Sequence, residues 1–304
     1  MAETRDALLT CRDWAVQVLD LPVVGTMTRR RYLLALPRLI RQIARADLWY
    51  HTGLWLSLRQ GLLLRIAMTV RTRVVIQWIG SDVLHIARHL GKRSGAPFVL
   101  EDCIHWVCAP WLVDELRNIG IESSYVPLPS KTAMRFLALD PPALPSSFSI
   151  LTYIPNRRAA FYGWRSIVRL AQEFPDVEIR VVSGDGSFVT DCPPNIRFDG
   201  WVKDMYAEYS NCTVLVRMAD HDGLSMMVQE ALILERHVVW NYPFPGALHA
   251  PDDSALCNHI QDLLDRHYKG ILQKNEVGRE QIRSHFEPGL LAAQMRERMQ
   301  KCVG

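Results

Sequence analysis

The sequence predicts an α/β protein of two alternating α/β blocks, each with a parallel sheet, the N-terminal block short. Three observations predict it. Apolar runs of strand length alternate with amphipathic runs of helix length in both halves of the chain, the order that yields parallel sheets. A connecting stretch at 125–147 carries Pro127, Pro129, Pro141, Pro142 and Pro145, which break regular structure. At 304 residues with 49% hydrophobic content, the chain is long enough to bury two cores. The expected boundaries are 1–135, basic, and 136–304, closed by a C-terminal helix.

In chain order, 1–20 reads as a charged, helix-like stretch with 14–19 as its candidate strand, so a first strand and a glycine-rich loop are expected to be missing. Arg29 to Arg45 forms a basic amphipathic helix interrupted near Pro37. Strands are expected at 46–50, 73–78 and 98–100, and helices at 56–69, 83–90 and 110–118. The second block reads as strand 148–154, helix 162–173, strands 178–183, 196–198 and 213–218, a helix, and strand 238–240. An amphipathic helix within 281–300 closes the chain.

Charge is unevenly spread. Residues 1–100 hold 15 Lys/Arg against 6 Asp/Glu, a balance of +9, leaving 20 against 26, or −6, for the remainder. The segment Arg29 to Arg45 threads Arg38, Arg41 and Arg45 through Leu36, Leu39, Ile40 and Ile43. Two readings stay open: a core-facing helix with a solvated arginine face, and a helix lying on an anionic membrane surface. Nucleic acid is not expected as a partner, since no recognised motif accompanies the charge. Seven cysteines without a C-x-x-C pair signal neither a disulfide framework nor a zinc site and fit the reducing cytoplasm, at most peripheral to the inner membrane face. No apolar run reaches the length of a membrane span, and no secretory signal is read at the start. The acids Asp252, Asp253, Asp262 and Asp265 read as solvated, and no metal or cofactor is expected.

The most informative stretch is 219–240. A buried strand ends near Arg217, a loop carries His221, Asp222 and Gly223, and an apolar helix follows with Ser225 as its N-cap and Glu230 in its middle. In a parallel unit, ligands bind at the carboxyl ends of strands beside a helix N-terminus. Gly223 would let a ligand approach the backbone, and the N–H groups of Leu224 and Ser225 would present positive dipole to a phosphate. Asp222 can accept from sugar hydroxyls and Glu230 from a ribose diol, with Arg217 a phosphate contact. His51 and Asp82, at strand ends of the first block, are candidates to line a cleft alongside His221.

Four ordered segments resemble the retaining GT-B glycosyltransferases of family 4. Asn156-Arg157-Arg158 with Tyr162-Gly163 resembles an Arg-x4-Lys-Gly segment, and Ser183-Gly184-Asp185-Gly186 a G-D-G turn. Phe198-Asp199-Gly200-Trp201-Val202 resembles F-x-G-x-V, and Asp222-Gly223 through Glu230-Ala231 resembles E-G-x7-E-A. The first half matches more loosely, through 77–82 and 110–126. The resemblance implies two Rossmann-like domains facing a cleft. It implies that Arg157, with Arg158, holds a donor diphosphate, that Gly184 belongs to the phosphate-side turn, that Trp201 and Val202 flank the nucleobase, that Glu230 holds the ribose and that Asp222 grips the transferred sugar. Three departures stand out: Tyr162 replaces a lysine, Asp222 a glutamate, and Glu235 the usual glycine between helix and strand.

The expected activity is therefore transfer of a sugar from a nucleoside diphosphate donor to an acceptor hydroxyl, with retention implied by the resemblance. The acceptor is unnamed by the sequence, a lipid-linked molecule or a glycan being the classes considered. Two alternatives are kept: a nucleotide-sugar epimerase, and a non-catalytic module of the same architecture acting as a scaffold or partner.

Overall fold

The structure is a computed structural model that describes residues 29–55, 58–90 and 98–303. The readings at 1–20 lie outside the described residues. The chain divides into two compact units: the residues up to Pro129 with His221–Leu224 and the segment from Pro288, and Ser130–Asp220 with Ser225–Glu287.

In the first unit the order is α1 (Arg29–Arg45), β1 (Leu48–Thr52), α2 (Leu58–Thr69), β2 (Arg73–Trp78), α3 (Ser81–Leu90), α4 (Phe98–Glu101), β3 (Ile104–Val107), α5 (Trp111–Arg117) and β4 (Ser124–Tyr125). The four strands run parallel in the order β1-β2-β3-β4. A parallel strand is covered on both faces and so reads as a continuous apolar run; β2, Arg-Val-Val-Ile-Gln-Trp, is buried from Val74 to Trp78. α1 is one unbroken helix through Pro37, contrary to the expected interruption. Its Leu39 and Ile43 join the core with Ala35 and Leu36 against them, while Arg38, Arg41 and Arg45 are exposed. The apolar triplet at 98–100 is a helical turn and not the expected strand. Val99 and Leu100 are buried there all the same, and three residues are too few for burial period to separate the two states. The strand is the following Ile-His-Trp-Val.

In the second unit the order is α6 (Lys131–Leu137), β5 (Ser149–Ile154), α7 (Trp164–Glu173), β6 (Glu178–Ser183), β7 (Ile196–Gly200), α8 (Met205–Ser210), β8 (Val214–Arg217), α9 (Met226–Ile233), β9 (His237–Trp240), β10 (Leu248–His249), α10 (Asp253–Tyr268) and α11 (Glu276–His285). All six strands are parallel, in the order β10-β9-β8-β5-β6-β7. Read from the far edge, that is the dinucleotide-fold order 3-2-1-4-5-6, whose direction of winding reverses between β5 and β8. α7 shows why its segment is helical: Ile167, Leu170 and Ala171 fall at i, i+3 and i+4 and all are buried. The proline-rich connection is not wholly irregular, since α6 forms within it. Ser130 starts that helix by accepting from Ala133 N at 3.1 Å.

The closing helix α12 (Pro288–Val303) packs on the first unit, although sequence order groups it with the second. Met295 and Met299 are buried with Val75, Trp106 and Val126. Among the described residues, no helix is long and apolar enough to cross a membrane.

Candidate functional site

Ligands of open α/β sheets bind at the carboxyl ends of the strands where the winding reverses. In the second unit that point lies at the ends of β5 and β8. β5 runs through Pro155 into two tight turns, Asn156–Arg158 and Ala160–Tyr162. β8 ends at Arg217. Gly163 joins the two: it adopts φ +81°, and a Cβ there would overlap the Met218 carbonyl oxygen. Asp220 N donates to Phe161 O at 2.8 Å, a second tie between the turn and the β8 exit. Arg157 and Arg158 are exposed on the turn, and Arg217 is half-buried.

Aromatic rings fill this junction. The Arg158 guanidinium carbon lies 3.9 Å from the Phe161 ring centroid and 5.6 Å from that of Tyr162. That of Arg217 lies 5.5 Å from Tyr162 and 6.0 Å from Tyr153. The rings of Tyr153 and Tyr162 meet edge to face, 5.2 Å apart at 71°.

The turn after β6 is fixed to the β5 exit. Asn156 Nδ2 donates to Asp185 Oδ1 at 2.7 Å, and Asp185 N returns a bond to Asn156 Oδ1 at 3.0 Å. Bonds from Ser187 and Asn156 hold the exposed Asp185 carboxyl below its ordinary range. Gly184 is required for packing, since a Cβ would overlap the Ile154 carbonyl oxygen. Gly200 N donates to Gly184 O at 3.1 Å, and the next residue, Trp201, is 85% exposed with Val202 half-buried beside it. A ring of that size left in water is a surface on which a planar ligand can stack.

α9 starts at Ser225, whose hydroxyl accepts from Val228 N at 3.5 Å, a long capping bond. Glu230 is buried, and Tyr209 Oη donates to its Oε2 at 2.7 Å. Burial, then the neighbouring Glu230 charge, raises the Tyr209 phenol well above its ordinary pKa, so it remains a donor.

The stretch His221–Leu224 belongs to the first unit, and each of its residues is held there. His221 Nε2 lies 2.7 Å from Glu115 Oε2. Trp111 Nε1 donates to Asp222 O at 2.8 Å. A Cβ on Gly223 would overlap the Ile79 carbonyl oxygen, and one on Gly80 would stand 2.6 Å from Gly223 N. Leu224 N faces Cys108 Sγ at 3.4 Å. Glycine at 223 thus serves backbone-to-backbone packing against Ile79 and Gly80, a different cause from the ligand approach expected. The Leu224 N–H is engaged by sulfur and is not turned to a phosphate.

Asp82 is fully buried, which removes it from the expected cleft lining. Its carboxylate accepts from Leu54 N (3.1 Å), Ile79 N (3.0 Å), Gly80 N (2.9 Å) and Val83 N (3.0 Å), binding the β1 and β2 exits together. His51, at the end of β1, is 8% exposed, and burial pushes its imidazole down to about 4. His105 is satisfied on both sides, accepting from Trp78 Nε1 at Nδ1 (3.1 Å) and meeting Leu100 O from Nε2 at 2.9 Å. Tyr153, Tyr209, Gly80, Glu115 and Trp111 are parts of these arrangements that the sequence did not single out for them. Gly80 alone carried a readable signal, a glycine two residues beyond a strand end. Among the described residues, no group of three His, Cys, Asp or Glu side chains gathers to hold a metal ion.

No family model matches the chain, and no curated protein matches it. Solved structures do. Sucrose-phosphate synthase from Thermosynechococcus elongatus is 15% identical, covering 93% of this chain and 82% of its own, with a TM-score of 0.63. Anabaena HepE, in complex with UDP and glucose, is 12% identical over 92% of this chain and 84% of its own (TM-score 0.66). A glycosyltransferase from Rickettsia africae is 12% identical over 94% and 84% (TM-score 0.67). At these identities the likeness carries the architecture, and with the two parallel sheets it gives the fold class: α/β, GT-B, two Rossmann-like domains.

Proposed function

We propose that this chain is a glycosyltransferase that takes a sugar from a nucleoside diphosphate donor and passes it to an acceptor hydroxyl with retention of configuration. The single observation that carries the reading is the point between β5 and β8 where the winding reverses, where Arg157, Arg158 and Arg217 lie on the exits of two adjacent parallel strands. Cations at that place suit a diphosphate, which gains negative charge as it leaves. Trp201 and Val202 flank the base, Glu230 takes the ribose, and Ser225 heads the helix nearest the phosphates. Gly184 holds the phosphate-side turn against β5.

The bond from the anomeric carbon to the diphosphate oxygen breaks as the acceptor oxygen attacks that carbon on the same face. The acceptor proton passes to a diphosphate oxygen. Asp222 orients hydroxyls of the transferred sugar, with its main chain held by Trp111 and its neighbour His221 held by Glu115. His51, neutral above about pH 4, serves in this reading as an acceptor of hydrogen bonds from the substrate. A lipid-linked molecule or a glycan is the acceptor class proposed.

The reading is supported by the fold and by similar structures that include a complex with UDP and glucose and a glycosyltransferase. Its test is calorimetric titration with UDP, GDP and ADP, followed by a donor-hydrolysis assay with the corresponding sugar nucleotides. One nucleoside diphosphate is expected to bind in the micromolar range, and Glu230→Ala to weaken it by at least tenfold. Absence of binding by all three sinks the proposal; binding without hydrolysis or transfer points to the non-catalytic alternative.

A further inference from the structure

We infer that Trp55 and Ile79, on the exits of β1 and β2, form with His85 and His89 a subsite for a neutral glycan, and that the acceptor of the proposed transfer is a hydroxyl of that glycan. The inference deepens the reading above and rests on it for the transfer step. Trp55 and Ile79 are large apolar side chains left exposed just beyond the carboxyl ends of two adjacent parallel strands. That edge is where an open α/β sheet binds its ligands.

Both side chains stand on main chain that is held in place. The buried Asp82 carboxylate accepts from Leu54 N, just before Trp55, and from Ile79 N itself. Gly53 turns the chain out of β1 at φ +73°, and its N–H donates to Gln77 O at 2.9 Å. Ile79 lies over that turn, its Cδ1 3.3 Å from where a Gly53 Cβ would stand. An indole exposed on so constrained a loop has little freedom left to lose when a ligand stacks on it. The Ile79–Gly80 turn also packs on Gly223, within the same unit, and the next residue back is Asp222, proposed to orient the transferred sugar. An acceptor held at Ile79 therefore borders the loop that presents the donor's sugar.

The chemistry of the surface selects the ligand class. The His85 ring lies 5.0 Å from that of Trp55, at 46°, and the exposed His89 ring lies 4.5 Å from that of His85, one turn further along α3. A pyranose turns a slightly positive C–H face to the negative face of an indole and carries hydroxyls around its rim. Burial, then the neighbouring His89, lowers the His85 imidazole, so at neutral pH it is uncharged, with one nitrogen to donate to a hydroxyl and one to accept. A lipid chain would need apolar side chains along the whole strip, yet two imidazoles follow Trp55. An anionic headgroup would meet an uncharged ring at its centre.

The experiment uses the full chain, with maltose, cellobiose, mannobiose and diacetylchitobiose as probes in saturation-transfer NMR and calorimetry. At least one disaccharide is expected to bind in the millimolar range. Trp55 is exposed, so its truncation spares the core, and Trp55→Ala is expected to weaken that disaccharide by about tenfold or more. Trp55→Phe keeps a smaller ring and is expected to cost about two- to fivefold. His85→Ala, which removes a hydrogen-bonding group, is expected to cost about three- to tenfold. With the sugar nucleotide that the hydrolysis assay selects, the bound disaccharide is expected to be glycosylated, and its KM to rise in Trp55→Ala in step with the lost affinity.

Failure of all four disaccharides to bind the wild type overturns the inference, as does unchanged affinity in Trp55→Ala. In either case, binding of a nucleoside diphosphate leaves the donor reading standing. Phosphatidylglycerol vesicles supply the lipid arm: vesicle binding that Trp55→Ala abolishes overturns the inference in favour of a membrane surface. A disaccharide that binds through Trp55 in a chain that binds no nucleoside diphosphate refutes the donor reading and the acceptor role together, and keeps only the glycan site.

Discussion

Tyr209 Oη and Glu230 Oε2 are 2.7 Å apart with both side chains buried, so the acid proposed for the ribose is held by a phenol that stays protonated. The Tyr209 ring also packs edge to face on Phe136, 6.2 Å away at 82°. Tyr209→Phe keeps that packing and removes one hydrogen bond to a buried carboxylate. Stability is expected to fall by about 1–3 kcal/mol, read by urea denaturation. Affinity for the preferred nucleoside diphosphate is expected to fall severalfold; an unchanged affinity would separate Glu230 from the ribose.

The contact between Gly223 and the Ile79–Gly80 turn gives a second prediction. No side chain fits there, so Gly223→Ala must displace the loop that carries His221 and Asp222. A cost of about 1–3 kcal/mol is expected from such overpacking, with turnover falling along with it. Gly61→Ala is the matching control. That glycine lies inside α2 with nothing within 4 Å of the added Cβ, and alanine is expected to stabilise by about 0.5–1 kcal/mol. A thermal melt that moves both variants in the same direction would contradict this account.

Strand existence was legible wherever parallel burial forces a continuous apolar run: β2 and β6 fall on the expected residues, and β5, β8 and β9 within one or two. The 98–100 triplet misled because three buried apolar residues suit either a strand or a helical turn. The site divides by the same logic. The positions of Arg217, at a strand end, and of Glu230, on the following helix, were readable from the order of strand, loop and helix, and that of Arg157, on the turn after β5, only from the resemblance. The partners Tyr209, Glu115 and Trp111 were not, because contacts across 21, 106 and 111 residues of chain leave no local pattern. Asp82 shows the converse. Its position after a strand end suited a ligand contact, yet four main-chain N–H groups claim it, a use that burial decides and spacing does not.

Acid sensitivity follows from the buried histidines. The His51 imidazole titrates near 4 in the folded protein against 6.5 in an unfolded chain, because burial disfavours its charged form. Between those values the unfolded state binds a proton that the folded state refuses, so stability falls as pH drops from about 6.5 towards about 4 and the slope ends below that. The full effect for this one group is about 3 kcal/mol. Burial lowers His105 and His237 too, in the same sense, so the wild-type slope is steeper than one histidine gives. His51→Gln is expected to flatten the curve in part, read by urea midpoints at pH 4.5, 5.5 and 7. An unaltered slope would mean that His51 takes up its proton in the folded state.

The last prediction concerns Arg236, fully buried between α9 and β9. Its guanidinium donates to main-chain carbonyls only: Leu234 O at 2.9 Å, Ala143 O at 3.0 Å, Cys212 O at 3.4 Å and Pro142 O. Two of those carbonyls lie in the connection that leads from α6 to β5, a stretch with few N–H donors of its own because prolines occupy 141, 142 and 145. Arg236 therefore takes the place that a neighbouring strand would fill, tying an irregular segment to the sheet. Arg236→Met fills the volume but leaves the carbonyls buried without donors, and is expected to cost about 3–5 kcal/mol. Arg236→Lys keeps the charge but cannot span the same fork, so it should recover only part. Exchange at the exposed Arg197 and Glu178 pair is expected to change stability by less than about 1 kcal/mol. Limited proteolysis supplies the specific readout: cleavage within 138–147 should rise sharply in Arg236→Met under conditions where the wild type is intact. Equal cleavage in the two would show that the connection holds without the arginine.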